Sequence, residues 1–400
     1  MVRSYSQNQY IYKPDTFIKN ITSFLFFFIL SLFLYLVIRT LFFKSSILQN
    51  SYSRIYEGFT SSVTNNTSPS SSSSVSAEYL KKLKADKDKG VFPFRFLQDE
   101  KGNILPIVVL VAFFRKKEDR DLFEEYEKNG VKIIGVTAYK TFPKPIADST
   151  ADSTSMTDNF DYVGRVKNWL CCFKNPEQYG FTEKNNLIEI SESDFYDADE
   201  ETSSPEKKYD IIYSCLKDDK KDNCSLTGWN AVNRNYKLAL ECLPIIVNEY
   251  NMKILIVGRS GCGLEEKYGS NVETTDFLPY HEFQQKIKES RFLFVPNIYD
   301  ASPRVVPEAI IKDVPVLMNR NIVCGSKYIN YNTGEFFTDE QDVRVAIRNL
   351  IAKENIISPR KWWRENYSKK TSGKKFRDFL NQQYPDLMTH VKEVYYFLNF

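Results

Sequence analysis

Residues 292–318 read FLFVPNIYDASPRVVPEAIIKDVPVLM. The run ending at Val295 is apolar, and Pro296-Asn297 closes it, as at the end of a strand buried on both faces. Residues 304–312 read as a helix, and residues 314–318 are a second apolar run. Strand, loop, helix and strand in that order make a repeating unit of a parallel α/β sheet. Two carboxylates stand in it, Asp300 in the loop and Glu308 near the start of the helix. Ligands of such sheets lie beyond the C-terminal strand ends. A carboxylate there accepts hydrogen bonds from neighbouring hydroxyls of a sugar or ribose. Helix N-terminal amides nearby can face a phosphate.

The alternation continues outward from this unit. Residues 209–214 (YDIIYS) and 253–257 (KILIV) read as strands. Helices are expected over residues 233–250, with a kink at Pro244, and over 281–290 and 339–353. Nearer the N-terminus, residues 104–112 form a continuous apolar run. Residues 118–128 have helical spacing and stop at Asn129-Gly130, and 131–136 read as a second strand. Residues 162–173 read as a helix and 187–190 as a short strand, while 141–159 and 192–208 are polar loop or linker. The expected fold is α/β with two Rossmann-like domains facing a cleft. They span residues 90–205 and 206–375, and residues 376–400 form a helix returning to the first.

Residues 21–38 (ITSFLFFFILSLFLYLVI) are uncharged. As a helix they span about 27 Å, close to the hydrocarbon thickness of a bilayer. With residues 39–43 they are expected to form an uncleaved signal-anchor over 21–43, behind a tail of residues 1–20. The run is longer than a signal-peptide core and ends in no small-residue cleavage site. Basic residues on its two sides nearly balance. A short tail and large body favour a type II arrangement with the body in the ER/Golgi lumen, and a cytosol-facing body stays open as the alternative. Sequons at Asn65, Asn66, Asn223 and Asn366 are compatible with the lumen. Residues 44–89 are expected to be a stem, Ser-rich over 60–76 and charged and helix-compatible over 78–89.

The chain has 400 residues, a formal net charge of +3, seven cysteines and two histidines. Charges of both signs are interspersed, so no nucleic-acid footprint appears. Cysteines and histidines lack zinc-site spacing. Free thiols are the expectation for the cysteines, with Cys215–Cys224 as a candidate pair. Residues 258–263 (GRSGCG) lack the Lys-Ser/Thr of a phosphate loop and the spacing of a dinucleotide fingerprint.

Val295-Pro296-Asn297, Asp300, Glu308-Ala309 and Pro315-Val316 together resemble the signature of GT-B glycosyltransferases of the group 1 type, over about residues 205–350. Asp300 stands where the family pattern has Glu, and neither histidine lies in the N-terminal block. The resemblance implies a retaining enzyme that takes a nucleotide diphosphate sugar as co-substrate, with no permanently bound cofactor and no metal. Asp300 would contact the donor sugar and Glu308 the ribose hydroxyls. Lys217, Arg234 and Arg259 would bind the donor phosphates, with Lys237 nearby. Phe277 and Leu278 would lie at the base, and Asn297, Ser302 and Arg304 in the donor loop. The acceptor would be a hydroxyl of a glycan, protein or lipid, and the partners include the bilayer but no nucleic acid. Two rival readings stand beside this one. One is a non-catalytic membrane-tethered protein of the same fold that binds a nucleotide or glycan. The other is a metal-dependent GT-A glycosyltransferase using Asp197 and Asp199.

Overall fold

The computed structural model divides into residues 1–72 and 73–400. It describes residues 75–137, 141–144, 159–198, 205–218 and 224–396. The expected tail and signal-anchor lie outside the described residues, as does residue 44–74 of the stem. Among the described residues no helix is long and apolar enough to cross a membrane.

The first sheet has six strands in the order β12-β1-β2-β3-β4-β5. They are β1 (Phe94–Asp99), β2 (Ile104–Leu110), β3 (Lys132–Val136), β4 (Asn168–Leu170) and β5 (Asn186–Ile188), with β12 (Val394–Tyr396) supplied from the C-terminal end. β2 to β5 pair in parallel, whereas β1 runs antiparallel to both β2 and β12. Successive side chains of β2 serve opposite faces, as strand geometry requires. Val108 and Leu110 join one core cluster, and Ile107 and Val109 the other. The first face is covered by helices Ala77–Asp88 and Lys117–Lys128 through Leu83, Phe123 and Tyr126. The second is covered by helix Lys369–Gln383 through Phe376, Phe379 and Leu380.

Three expectations change here. Residues 162–173 are not one helix but a short one, Tyr162–Arg165, followed by β4. β4 pairs on both sides and Trp169 is fully buried, so sheet pairing overrides the helical pattern. The end of the expected stem is a helix docked on the sheet. Tyr79, Leu80 and Leu83 lie on one helical face and pack into the first core cluster. The C-terminal segment returns as a helix plus an edge strand, since β12 follows helix Lys369–Gln383.

The second sheet has six strands, all parallel, in the order β11-β10-β9-β6-β7-β8. They are β6 (Tyr209–Ser214), β7 (Ile254–Val257), β8 (Val272–Thr275), β9 (Ser290–Val295), β10 (Val316–Asn319) and β11 (Gly334–Phe337). The chain winds outward from β6 through β7 to β8. It then returns to β9, beside β6, and winds outward the other way. This is the doubly wound order, and its reversal lies between β6 and β9. Strand faces again alternate between two clusters, one holding Ile211, Phe292 and Phe294, the other Ile212, Leu293 and Val295. The helix ending at Pro244 passes into a π-helical turn, Ile245–Glu249. Proline removes a helical N–H, so the break falls where the sequence places it. The two parallel-rich α/β sheets are consistent with a two-domain GT-B fold.

Segments leaving the C-terminal strand ends of both sheets meet one another. The Lys174 N–H donates to Val323 O at 3.3 Å. The Ser302 and Ser191 hydroxyls lie 2.8 Å apart. Asp194, 2 % exposed at its side chain, accepts from Lys327 Nζ at 2.7 Å and from the Tyr328 hydroxyl.

Candidate functional site

The reversal between β6 and β9 is where the second sheet opens a crevice for a ligand. β9 ends at Val295, and its exit is fixed by Asn319, whose Nδ2 donates to Pro296 O at 3.1 Å. Asn297 follows, 3 % exposed, and donates from Nδ2 to Asp300 Oδ2 at 3.1 Å. The Ser302 N–H donates to Asp300 Oδ1 at 3.2 Å, so the loop folds its own carboxylate into a fixed orientation. From the β6 side comes Arg234, at the end of helix Trp229–Asn233. The Tyr213 hydroxyl donates to Arg234 O at 3.1 Å, and the Ile298 N–H donates to Asn233 O at 3.2 Å. Arg234 Nη1 then pairs with Asp300 Oδ2. The structure thus joins Asn297, Asp300, Ser302 and Arg234 in one hydrogen-bonded group at the point of reversal.

Beside this group lies Asn233, 2 % exposed, which the sequence reading did not single out. Both polar atoms of its side chain are buried and find no hydrogen-bond partner among the described residues. A buried amide without partners costs about 1–3 kcal/mol. Such a group in a native site calls for a partner from outside the chain.

Glu308 sits in helix Val305–Ile310, where Pro307 is accommodated because the first helical turn needs no N–H from it. The Glu308 side chain faces inward, and the residue is 6 % exposed. Its two carboxylate oxygens are separately held. Gln284 Nε2 donates to Oε2 at 3.0 Å, and the Tyr196 hydroxyl donates to Oε1 at 3.3 Å. Burial raises the Glu308 pKa above the ordinary value, against the pull of these two hydrogen bonds and the Lys312 and Arg304 charges. Gln284 and Tyr196 were missed from sequence. Tyr196 belongs to a stretch that reads as polar linker, and Gln284 to the polar face of helix Tyr280–Lys288.

The expected phosphate ligands separate. Lys217 follows β6 and pairs with Asp276 at 3.1 Å. The Ser260 hydroxyl and the Lys217 ammonium hold the Asp276 carboxyl below its usual range. Arg259 is fully buried. Its Nε donates to Cys215 Sγ at 3.1 Å, Nη1 to Ser225 O at 3.1 Å, and Nη2 to Leu216 O and Asp218 Oδ2 at 3.1 and 3.0 Å. Its guanidinium also lies over the Tyr236 ring. Arg259 is therefore spent on its own chain: it clamps the loop after β6 to the loop after β7. Gly258 stands at φ +100, with Cys215 O and Leu216 Cα where a Cβ would fall. Only a glycine lets these loops approach so closely. Lys237 is exposed and lies 3.8 Å from Glu241. Phe277 is 68 % exposed, while Leu278 packs on the second core. Arg304 is exposed at the start of the Glu308 helix.

The candidate Cys215–Cys224 pair is replaced by a disulfide between Cys224 and Cys262, with Cα atoms 5.5 Å apart. Cys215 is buried against Arg259 and out of reach. Among the described residues no group of three or more His, Cys, Asp or Glu stands where a metal could be held. Of the alternative acidic pair, Asp197 accepts the Lys369 N–H at 3.0 Å, and Asp199 lies outside the described residues.

No family model matches the chain. No curated protein matches it either. Solved structures do. TarM is 14% identical over 68% of this chain and 54% of its own, with a TM-score of 0.47. Sucrose-phosphate synthase from Thermosynechococcus elongatus is 12% identical over 77% of this chain and 78% of its own, at 0.48. The pneumococcal O-GlcNAc transferase GtfA, in complex with UDP and GlcNAc, is 10% identical over 70% of this chain and 57% of its own, at 0.47. The chain thus spans little more than half the length of TarM and GtfA. The likeness is one of overall fold alone.

Proposed function

We propose that the chain is a membrane-anchored glycosyltransferase that moves a sugar from a nucleotide diphosphate sugar to a hydroxyl acceptor with retention of configuration. The observation that carries this reading is the Arg234–Asp300 ion pair at the reversal between β6 and β9. A guanidinium there offers planar, charge-assisted donors to a diphosphate, and the charge that develops on the leaving group is met in place. Lys217, just after β6, adds a second cation. As Arg234 turns to the phosphate, Asp300 is released to accept from sugar hydroxyls, still oriented by Asn297 and the Ser302 N–H. Glu308 accepts from the two ribose hydroxyls, in exchange for Tyr196 and Gln284. The unpartnered Asn233 amide supplies one further donor and acceptor beside Arg234. The base lies toward Phe277 and Leu278. The anchor rests on the uncharged run of residues 21–38.

The test is a panel of nucleotide sugars, assayed for donor hydrolysis and transfer with the purified full chain in detergent. One donor is expected to turn over, and Glu308→Ala to abolish turnover while the circular dichroism spectrum is unchanged. Full activity in Glu308→Ala would overturn the site. The anomeric configuration of the first product, read by NMR, tests retention. Alkaline carbonate extraction of membranes tests the anchor, which predicts that the full chain stays in the pellet.

A further inference from the structure

Two cysteines from opposite halves of the molecule converge on the Asp300 loop. Cys172 follows β4 of the first sheet and is 6 % exposed. Cys324 lies in the segment after β10 of the second sheet and is 1 % exposed. Each thiol perturbs the titration of the other: Cys324 pulls the Cys172 thiol below its ordinary pKa, while burial and then Cys172 push the Cys324 thiol up. The backbones are held in the same register, since the Lys174 N–H donates to Val323 O at 3.3 Å. Both cysteines also grip the loop that carries Asp300. Cys172 Sγ donates to Ala301 O at 2.9 Å, and the Cys324 N–H donates to Asp300 O at 3.2 Å.

We propose that Cys172 and Cys324 are a covalent modification site: they close into a disulfide that cross-links the two sheets directly behind Asp300. Disulfides need Cβ atoms within about 4.5 Å and Cα atoms within about 7 Å. Two cysteines bonded to adjacent carbonyls, Ala301 O and Asp300 O, on backbones joined at Lys174 and Val323, are placed to meet that demand. The oxidant is a low-molecular-weight disulfide, RSSR. One cysteine thiolate attacks a sulfur of RSSR, forming a mixed disulfide and releasing one RS⁻, which takes up the proton the cysteine lost. The second cysteine, deprotonated in turn, attacks the protein sulfur of the mixed disulfide and releases the second RSH. Two protons and two electrons pass from the cysteines to the RS groups, and one S–S bond forms for one broken.

The site is guarded by its burial. Desolvation pushes the Cys324 thiol well above its ordinary pKa, so thiolate attack waits until the halves part. Cys172 donates to Ala301 O at 2.9 Å and Thr137 O at 3.2 Å, and Cys324 holds its thiol below the ordinary pKa, so Cys172 is the thiol that attacks first once exposed. The bond therefore forms when the interface opens, or during folding before it closes, and it persists once the interface has shut. Cys171 is the control. It is adjacent in sequence, yet it packs in the core of the first sheet and its thiol is pushed up to about 12 by burial.

The experiment uses the full chain in detergent, equilibrated in buffers of graded oxidised and reduced glutathione. Free thiols are trapped in acid and alkylated under denaturing conditions, and the peptides are mapped by mass spectrometry. The expected result is a Cys172–Cys324 linked peptide in the oxidising buffers, alongside Cys224–Cys262. The oxidised chain is expected to melt about 5 °C above the chain oxidised at Cys224–Cys262 alone. Cys324→Ser supplies that reference, and Cys172→Ala supplies it if the serine variant does not fold. Alkylation of both thiols at every ratio would overturn the proposal, and so would linkage of Cys324 to Cys171. None of these readouts depends on glycosyl transfer.

Discussion

Arg234 and Asp300 are ion-paired across the gap between the segment after β6 and the loop after β9. They are 66 residues apart in sequence and meet because β6 and β9 are neighbours in the sheet. The Asp300 side chain is mostly covered and the Arg234 side chain about one-third exposed, with burial pulling the guanidinium pKa down. Arg234→Ala is expected to lower donor kcat/KM by about 10²–10³-fold, the scale of losing one preorganised donor to a developing negative charge. Arg234→Lys is expected to recover only part of it, because an ammonium lacks the planar fork. Steady-state kinetics on both variants, with circular dichroism as the folding control, measures the effect.

Glu308 makes stability depend on pH. Burial places its folded pKa above the unfolded one. Its contribution is therefore fully present below the ordinary Glu value of about 4.3 and is lost as pH rises through the folded value. Glu308→Gln keeps the shape without the ionisation. The urea midpoint of the variant relative to wild type is expected to rise as pH climbs above the ordinary Glu value of about 4.3 and to level off once folded Glu308 is ionised. A difference independent of pH would refute the assignment.

Arg259 is a structural clamp. Its removal takes the donor from two carbonyls, Leu216 O and Ser225 O, and leaves the Asp218 carboxylate with only the Asn230 and Ala231 N–H groups among the described residues. Arg259→Met is expected to cost about 2–4 kcal/mol, because a buried charge network loses one partner while the others remain. Urea unfolding measures the loss. Arg259→Lys is expected to recover less than half, since one ammonium cannot reach Leu216 O, Asp218 and Ser225 O at once.

Gly135 of β3 pairs with Trp169 of β4, and a Cβ at Gly135 would run into the six-membered ring of Trp169. That indole is fully buried and anchored by its Nε1 donating to Val166 O at 2.8 Å. Gly135→Ala is expected to destabilise the chain by about 1–3 kcal/mol through overpacking. Trp169 fluorescence should report a displaced ring.

The unit of residues 292–318 was legible because each of its parts carries a local signal. Apolar runs mark buried strands, Pro296-Asn297 marks the turn, and helical spacing marks the Glu308 segment. Four strands of the second sheet, β6, β7, β9 and β10, follow from repetition of that unit, but the edge strands β8 and β11 are four residues each and partly polar, and went unread. The first sheet was less legible for a physical reason. β1 gains its outer neighbour β12 from about 300 residues away, and β4 is three residues long, too short for a period to show. Arg259 reads in sequence as a basic residue after a glycine turn. Its burial is decided by Leu216, Asp218 and Ser225, none of which lies near it in the chain. The disulfide partner of Cys224 was equally hidden, because cysteine spacing does not encode pairing. Tyr196 and Gln284 became visible only when the fold laid them on Glu308.

The chain passes between its two halves twice, once after Tyr196 and once before Lys369, and the two passages are tied to each other. Tyr196 O accepts from Trp363 Nε1 at 2.8 Å, and Asp197 Oδ1 accepts from the Lys369 N–H at 3.0 Å. Two covalent crossings fastened side by side behave as a door hinge and not as a tether. The halves can swing about the line through that fastening, but they resist twisting against each other or drifting apart. Any opening that admits a donor must therefore be widest at the edge farthest from Tyr196 and Lys369.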